Sequence, residues 1–534
     1  MQISDGIKDL YKRLTAINRI LNVPDEDINK IGVDAIIGKL AYLYEKMRVT
    51  MDYQEDHLLR RFAIERNIRR SVILETLKPE MARSIVEDLI RSGYLLNNKL
   101  PETIIAPVET VLKKYAYLID LVHDELHEGA ERRKIVTWLI AVMACEIDLI
   151  LVPEFRIDAL IEMLYTTVRD RIKFHGGSIP EREKNIQLYI TLHKELVLSD
   201  NPIIAYHLLN LYFPDWPNAD KRLVEFVAGK ITSVYYGIEH HLLNPIRKKM
   251  SRSLKKQIVA FKILRELVTV HQNDLASLFG DPELLESETR KVITRNYKST
   301  RAKLTRSSIR AVLYILITKV ALALLIEYPY DMYAFGVVNY TALSINILFP
   351  PVLMFFVTLS ARLPGPQNTK ALVSELLQIV YGQPQQTILC ELRVRKEHGP
   401  VYFFFEYVVY VLLYGLIFGG LIFLLSLLKF NILSGGIFLF FVTAVSFFGT
   451  RIRQVAKDFN VETQREGVLG YITTFFSLPL IRAGQWLSVN MRRINLIAFV
   501  MDFIIEAPFK LLVQLIENWF VFLREKKEDT YKSS

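Results

Sequence analysis

The chain has 534 residues, 51% of them hydrophobic, with a formal net charge of +10, a mean hydropathy of +0.21 and a pI near 9.2. Two cysteines in different halves, Cys145 and Cys390, exclude a disulfide framework or a CxxC pair and fit reduced thiols in a cytosol. The positive excess accompanies long apolar runs, so it reads as basic loops beside anionic lipid and no nucleic-acid partner is expected.

The N-terminus, MQISDGIKDLYKRL, has neither an apolar core nor a small-residue cleavage site, and no cleavable signal peptide is expected. Residues 1–300 read as helix after helix. Proline followed by an acid recurs at Pro24, Pro79, Pro101, Pro153, Pro180 and Pro282. Proline suits a first helical position, where its missing N–H is not needed, and the acid meets the positive end of the helix dipole. Apolar spacing inside the segments is near 3.6: Ile157, Leu160, Ile161, Leu164 and Val168 share one face. No alternating run bounded by hairpin turns is present, and the irregular spacing of the Pro-acid pairs argues against a strict repeat family. The expectation is a large cytoplasmic helical domain, bundle-like or solenoid-like.

Residues 135–152, IVTWLIAVMACEIDLILV, are the most apolar stretch before residue 310. Glu146 and Asp148 in their distal half favour a buried core helix over a membrane span. The HDELH stretch holds the one arrangement with metal-ligand spacing. His123 and His127 at i and i+4 share a helix face, as a zinc site needs. The zincin order puts Glu directly after the first His, whereas Asp124 stands there and no third ligand is identifiable. A metalloenzyme built on this pair is the weakest of three functional readings, and no cofactor is expected.

Between residues 291 and 310 there is no acid, while Lys291, Arg295, Lys298, Arg306 and Arg310 recur at helical spacing. This stripe runs into an apolar segment and suits anionic headgroups, at about 1 kcal/mol per basic residue near the surface.

Residues 301–461 read as a transmembrane domain. The expected spans lie near 311–326, 337–359, 402–428 and 432–448. The third would rise roughly 40 Å at ~1.5 Å per residue, more than the ~30 Å of a bilayer core. Lys319 lies in the first span and Glu406 in the third, at depths that let them pair. Residues 327–336 read as a loop with two acids and no Lys or Arg. The second span carries Asn339, Asn346 and Pro350-Pro351, a pair that breaks or kinks a helix unless neighbours satisfy the freed carbonyls. Residues 371–381 form a short amphipathic helix in the next connection. Basic residues cluster before span one and after spans two and four. The positive-inside rule then places both termini in the cytoplasm of a bacterial-type inner or plasma membrane.

Residues 462–534 are expected to hold an interfacial amphipathic region. Asp502, Glu506, Lys510, Gln514 and Glu517 make a polar stripe along 495–524. The competing layout pairs 467–489 and 495–524 as a fifth and sixth span. The fold class is thus all-α: a polytopic helical membrane protein with a cytoplasmic helical domain and a C-terminal amphipathic helix. No motif identifies a reaction. The leading functional reading is a non-enzymatic scaffold or adaptor that binds membrane lipids and a cytoplasmic protein partner. The alternative is a transporter or oligomeric channel subunit that uses Lys319, Glu406 and the Pro-broken second span.

Overall fold

The structure is a computed structural model. It describes residues 3–21, 29–33, 56–73, 78–175, 179–272, 274–360, 363–382, 390–393, 400–461 and 468–493. The described residues are almost entirely helical. The N-terminal half contributes α1 (Asp5–Leu21), α2 (Asp56–Ile73), α3 (Met81–Arg91), α4 (Ile105–Glu125), α5 (Ala130–Leu151), α6 (Phe155–Arg169), α7 (Glu181–Leu192), α8 (Asn201–Tyr212), α9 (Lys221–Ala228), α10 (Ile231–Leu243), α11 (Ile246–Ser253), α12 (Lys255–Val270) and α13 (Leu275–Gly280). Every described Pro-acid pair stands at or just before a helix start, although proline itself takes the first helical position only at Pro282.

These helices enclose two apolar cores. One gathers α2 to α5 with α8 to α10 around Ile64, Val108, Leu139 and Trp216. The other joins α1, α6, α7 and α12 around Leu10, Leu164, Leu192 and Phe261. α5 runs through the first core. Its acids meet partners from other helices: Glu146 accepts from Lys114 Nζ at 2.5 Å and from Tyr115 Oη at 2.9 Å, and Asp148 pairs with Arg60. Buried charge at these positions is compensated. α5 and α6 together are long and apolar enough to cross a membrane, but they meet at a 108° bend.

The apolar half begins with α14 (Pro282–Leu322). Asp281 caps it, accepting from the backbone N–H of Glu283 at 2.9 Å. A wide turn of i→i+5 bonds, Ala323–Glu327, links α14 to α15 (Tyr328–Phe335). Pro282–Phe335 is one continuous 54-residue helix, about 80 Å long at ~1.5 Å per residue. The expected loop at 327–336 is therefore helical, and the chain turns only at Gly336, where φ is +66°. Then follow α16 (Tyr340–Leu359), α17 (Pro366–Tyr381), α18 (Pro400–Leu427), α19 (Ile432–Lys457) and α20 (Val468–Arg493). α16 continues through Pro350 and Pro351, both buried. Among the described residues, four helical stretches are long and apolar enough to cross a membrane, or five if the bent α5–α6 pair is one span.

The rod formed by α14 and α15 belongs to both halves. Leu285, Val292 and Ile293 sit in the second core of the N-terminal half. Ile315 sits with Met354, Phe441 and Val445 in the apolar bundle. The chain returns to the N-terminal half twice. α17 puts Leu372, Val373, Leu376 and Val380 into the second core, and Glu375 receives Lys256 at 2.8 Å. After α19, Phe459 and Val461 pack on the same core. Asn368 ties these returns to the rod: its Nδ2 donates to Tyr297 Oη at 2.7 Å and to the Phe459 carbonyl at 2.8 Å, and its Oδ1 accepts from the Val461 N–H at 2.8 Å.

One feature departs from an all-helical expectation. β1 (Ile172–His175) and β2 (Cys390–Arg393) form a two-stranded parallel sheet, with Ile172 opposite Cys390. Each strand has four residues, too few to show an alternation, and the partner lies in the other half of the chain.

Candidate functional site

The apolar bundle has a polar interior. Lys319, from α14, is wholly buried, as are Glu327 at the end of the wide turn and Asn346 on α16. Lys319 Nζ donates to Asn346 Oδ1 at 2.6 Å and lies 3.6 Å from Glu327 Oε1. Asn346 Nδ2 donates to Glu327 Oε2 at 2.5 Å and to the Ser434 carbonyl of α19 at 3.2 Å. An ammonium has only donors, so Asn346 must turn its oxygen to Lys319 and its amide N–H groups to the acceptors. The Phe441 ring of α19 covers the ammonium at 4.7 Å.

The wide turn explains how Lys319 and Glu327 meet. Eight residues of α-helix would leave them about 80° apart around the axis. One ordinary turn followed by one wide turn, which takes roughly one extra residue, closes two full turns and stacks the two side chains. The two long side chains and Asn346 fill the roughly 12 Å of rise between them.

Polar groups continue toward the end of the bundle remote from the helical half. Ser434 is buried. Asn431 accepts from the Ser434 N–H at 2.7 Å and donates to Asp331 of α15. Asn339 caps α16, accepting from the Ala342 N–H at 3.1 Å, and donates to the Lys429 carbonyl at 3.3 Å. On the opposite side of Lys319 the bundle is apolar, closed by Ile315, Met354, Phe441 and Val445. The polar track is thus one-sided.

The partner expected for Lys319 was Glu406. The structure gives Lys319 to Asn346 and Glu327, and the Glu406 side chain lies outside the described residues. Glu327 was hidden because residues 327–336 read as a loop with two acids and no Lys or Arg, and a wide turn leaves no periodic signature. Asn346 was visible as an amide inside an apolar run.

The basic stripe divides. Lys291 pairs with Glu288 at 2.7 Å and Arg295 with Glu266, both within the helical half. Lys298, Arg306 and Arg310 are exposed between the last contact of α14 with that half and the first buried apolar residue of the bundle. His123 falls in the last turn of α4, while His127 lies beyond Leu126, where the backbone is extended. The two histidines therefore do not share a helix face. Among the described residues no group of three or more His, Cys, Asp or Glu is placed to hold a metal ion.

A cleft of about 620 Å³ opens in the helical half between α2, α5, α8 and α10, beside Arg61, Trp138 and Tyr235. Its buried Arg61 is held by Glu65 and Asp200, each at 2.6 Å, so its buried charges are mutually compensated. α20 reaches the bundle interior. A Cβ on Gly484 would stand 2.2 Å from the Thr443 carbonyl oxygen of α19, and Arg482 donates to Tyr410 Oη of α18 at 3.3 Å. The segment 495–524 lies outside the described residues. The chain matches no family model, no curated protein and no solved structure.

Proposed function

We propose that this is an integral membrane protein that holds a helical interaction domain against the cytoplasmic face as a scaffold or adaptor. The observation that carries it is the unbroken helix Pro282–Phe335, anchored in the second core at Leu285 and in the apolar bundle at Ile315. Such a rod, cross-tied by Asn368, fixes the distance and orientation between domain and bilayer. A flexible tether would serve a tail-anchored enzyme as well, whereas a rigid mount serves presentation of a surface. The alternation supports four crossings without appeal to charge, because both α17 and the segment after α19 come back to the domain from which α14 leaves. The exposed Tyr333, Phe335 and Tyr340 at the far end of the rod suit an interfacial aromatic belt. Lys298, Arg306 and Arg310 suit anionic headgroups at the near end. A stoichiometric cytoplasmic partner recovered with the detergent-solubilised chain, and lost when Pro282–Phe335 is interrupted by a flexible insertion, would bear this out. Flux of a solute in liposomes with no such partner would point elsewhere.

A second reading, a transporter or channel subunit, draws on the buried cluster. Ionisable groups in a membrane interior are functional candidates by default, and the described residues place Lys319 and Glu327 together here, with a polar track to one side. Ion or solute flux in liposomes that is lost in Lys319→Met, with folding retained, is its test.

A further inference from the structure

We propose that Glu327 is a proton-binding site, reached from the side of the membrane opposite the helical domain, with Oε1 as the receiving atom. The inference rests on the reading that α14 to α16 and α19 cross a membrane.

The geometry singles out one oxygen. Glu327 is wholly buried. Its Oε2 takes the short bond from Asn346, but Oε1 has no hydrogen-bond partner. Lys319 Nζ, at 3.6 Å, neutralises it in part without donating to it. A buried carboxylate oxygen left so is costly, and a proton satisfies it most simply. A metal cation would have to share the site with the ammonium and is disfavoured by like charge. The step forms one O–H bond on Oε1 and breaks one O–H bond of a hydronium ion in the distal aqueous phase, leaving water there.

The surroundings favour access from one side. Asp331 and Asn431 stand at the distal rim, followed inward by Ser434 and Asn346. Ile315, Met354 and Val445 close the proximal side. The ionisable groups around Glu327 are few. On its own rod they are Lys319, Asp331 and the tyrosines of α15. α16 offers only Tyr340; α19 offers none from Ile432 to Phe441 and carries Arg451, Arg453 and Lys457 toward its other end; Lys429 lies at the turn before α19. Lys319 is therefore the cation that stands against Glu327, 3.6 Å from its Oε1.

Protonation removes that attraction. The pair keeps the wide turn in register, so its loss frees Ala323–Glu327 to tighten to ordinary α geometry, which would turn Glu327 about 80° away from Lys319. The rod would carry this change toward the helical domain.

The test is infrared difference spectroscopy of the full-length protein in liposomes, selected by protease protection for the helical domain inside. Only the external pH is varied. Glu146, Glu154, Asp158 and Asp458, whose burial pushes their carboxyls above the usual range, then face the clamped interior. The expected result is a buried, protonated-carboxyl band that grows as external pH falls and is absent from Glu327→Gln. In Lys319→Met the band should appear at a higher external pH, since the carboxylate has lost its cation. If Glu327→Gln does not fold, [13C]glutamate labelling of the wild type assigns the band, which must shift with the isotope. A wild type with no such band at any pH that leaves it folded, a band unmoved by the isotope or retained in Glu327→Gln, or one unmoved in Lys319→Met would overturn the proposal. Retention of the protein in alkali-washed liposomes reports separately on membrane insertion, so failure of the two readings is distinguishable.

Discussion

Asn346 satisfies three groups that would otherwise be buried without complete partners: the Lys319 ammonium, the Glu327 carboxylate and the Ser434 carbonyl. Asn346→Leu keeps the volume and removes every one of those bonds. It should destabilise the detergent-solubilised protein by about 3–5 kcal/mol, the usual cost of breaking a buried ionic arrangement, whereas Ser344→Leu one turn-half away on α16 should cost far less. Thermal melting of both variants checks this; equal melting temperatures would show the network to be energetically idle. The histidines of the helical half make a second case. His193 and His207 lie with ring centroids 4.6 Å apart and their planes tilted by 44°, beside Tyr189. Burial holds both below the ordinary imidazole value of 6.5, His207 at about 4. Below pH 6.5 the unfolded chain takes up protons that the fold refuses, so stability falls as pH drops from about 6.5 toward 4. The loss should be about 3 kcal/mol from His207 alone, and His193 adds to it. Replacing both with Phe should flatten that part of the pH–melting curve, and an unchanged slope would contradict it.

At the scale of elements, helix contacts in the bundle depend on missing side chains. A Cβ on Gly484 would meet the Thr443 carbonyl oxygen at 2.2 Å and Phe447 Cβ at 2.7 Å, so α20 lies backbone to backbone against α19. Gly484→Val should separate the two helices and lower the melting temperature, and crosslinking between cysteines placed on the facing sides should fall with it. Undiminished crosslinking would mean that α20 docks elsewhere. Much of this was legible beforehand. The Pro-acid pairs mark helix starts because proline and the dipole act locally, and the hairpin of the spans expected at 402–428 and 432–448 declares itself by length and apolarity. What was not legible depended on distant partners or on a local irregularity. Residues 327–336 read as a loop, yet the helix continues through Pro329 to Phe335; we attribute this to the wide turn directly before it, which relieves the contact between the ring and the preceding carbonyls. Glu327 was lost with that segment, and Glu406 was the nearest visible acid in an apolar run. β1 and β2 are invisible alone because each supplies only half of a ladder.

For the whole molecule, the two halves are joined at several points. The rod enters both cores, α17 and the segment after α19 return to the helical domain, and Asn368 binds the three together. The central claim is that the chain crosses a bilayer with this alternation. In a background where Cys145 and Cys390 are replaced by serine, single cysteines at Val337, beyond the far end of the rod, and at Lys370, in the first turns of α17, lie on opposite sides. Intact cells treated with an impermeant maleimide should label Val337→Cys and leave Lys370→Cys unlabelled until the membrane is opened. Labelling of both from the outside, or of neither, would contradict the account.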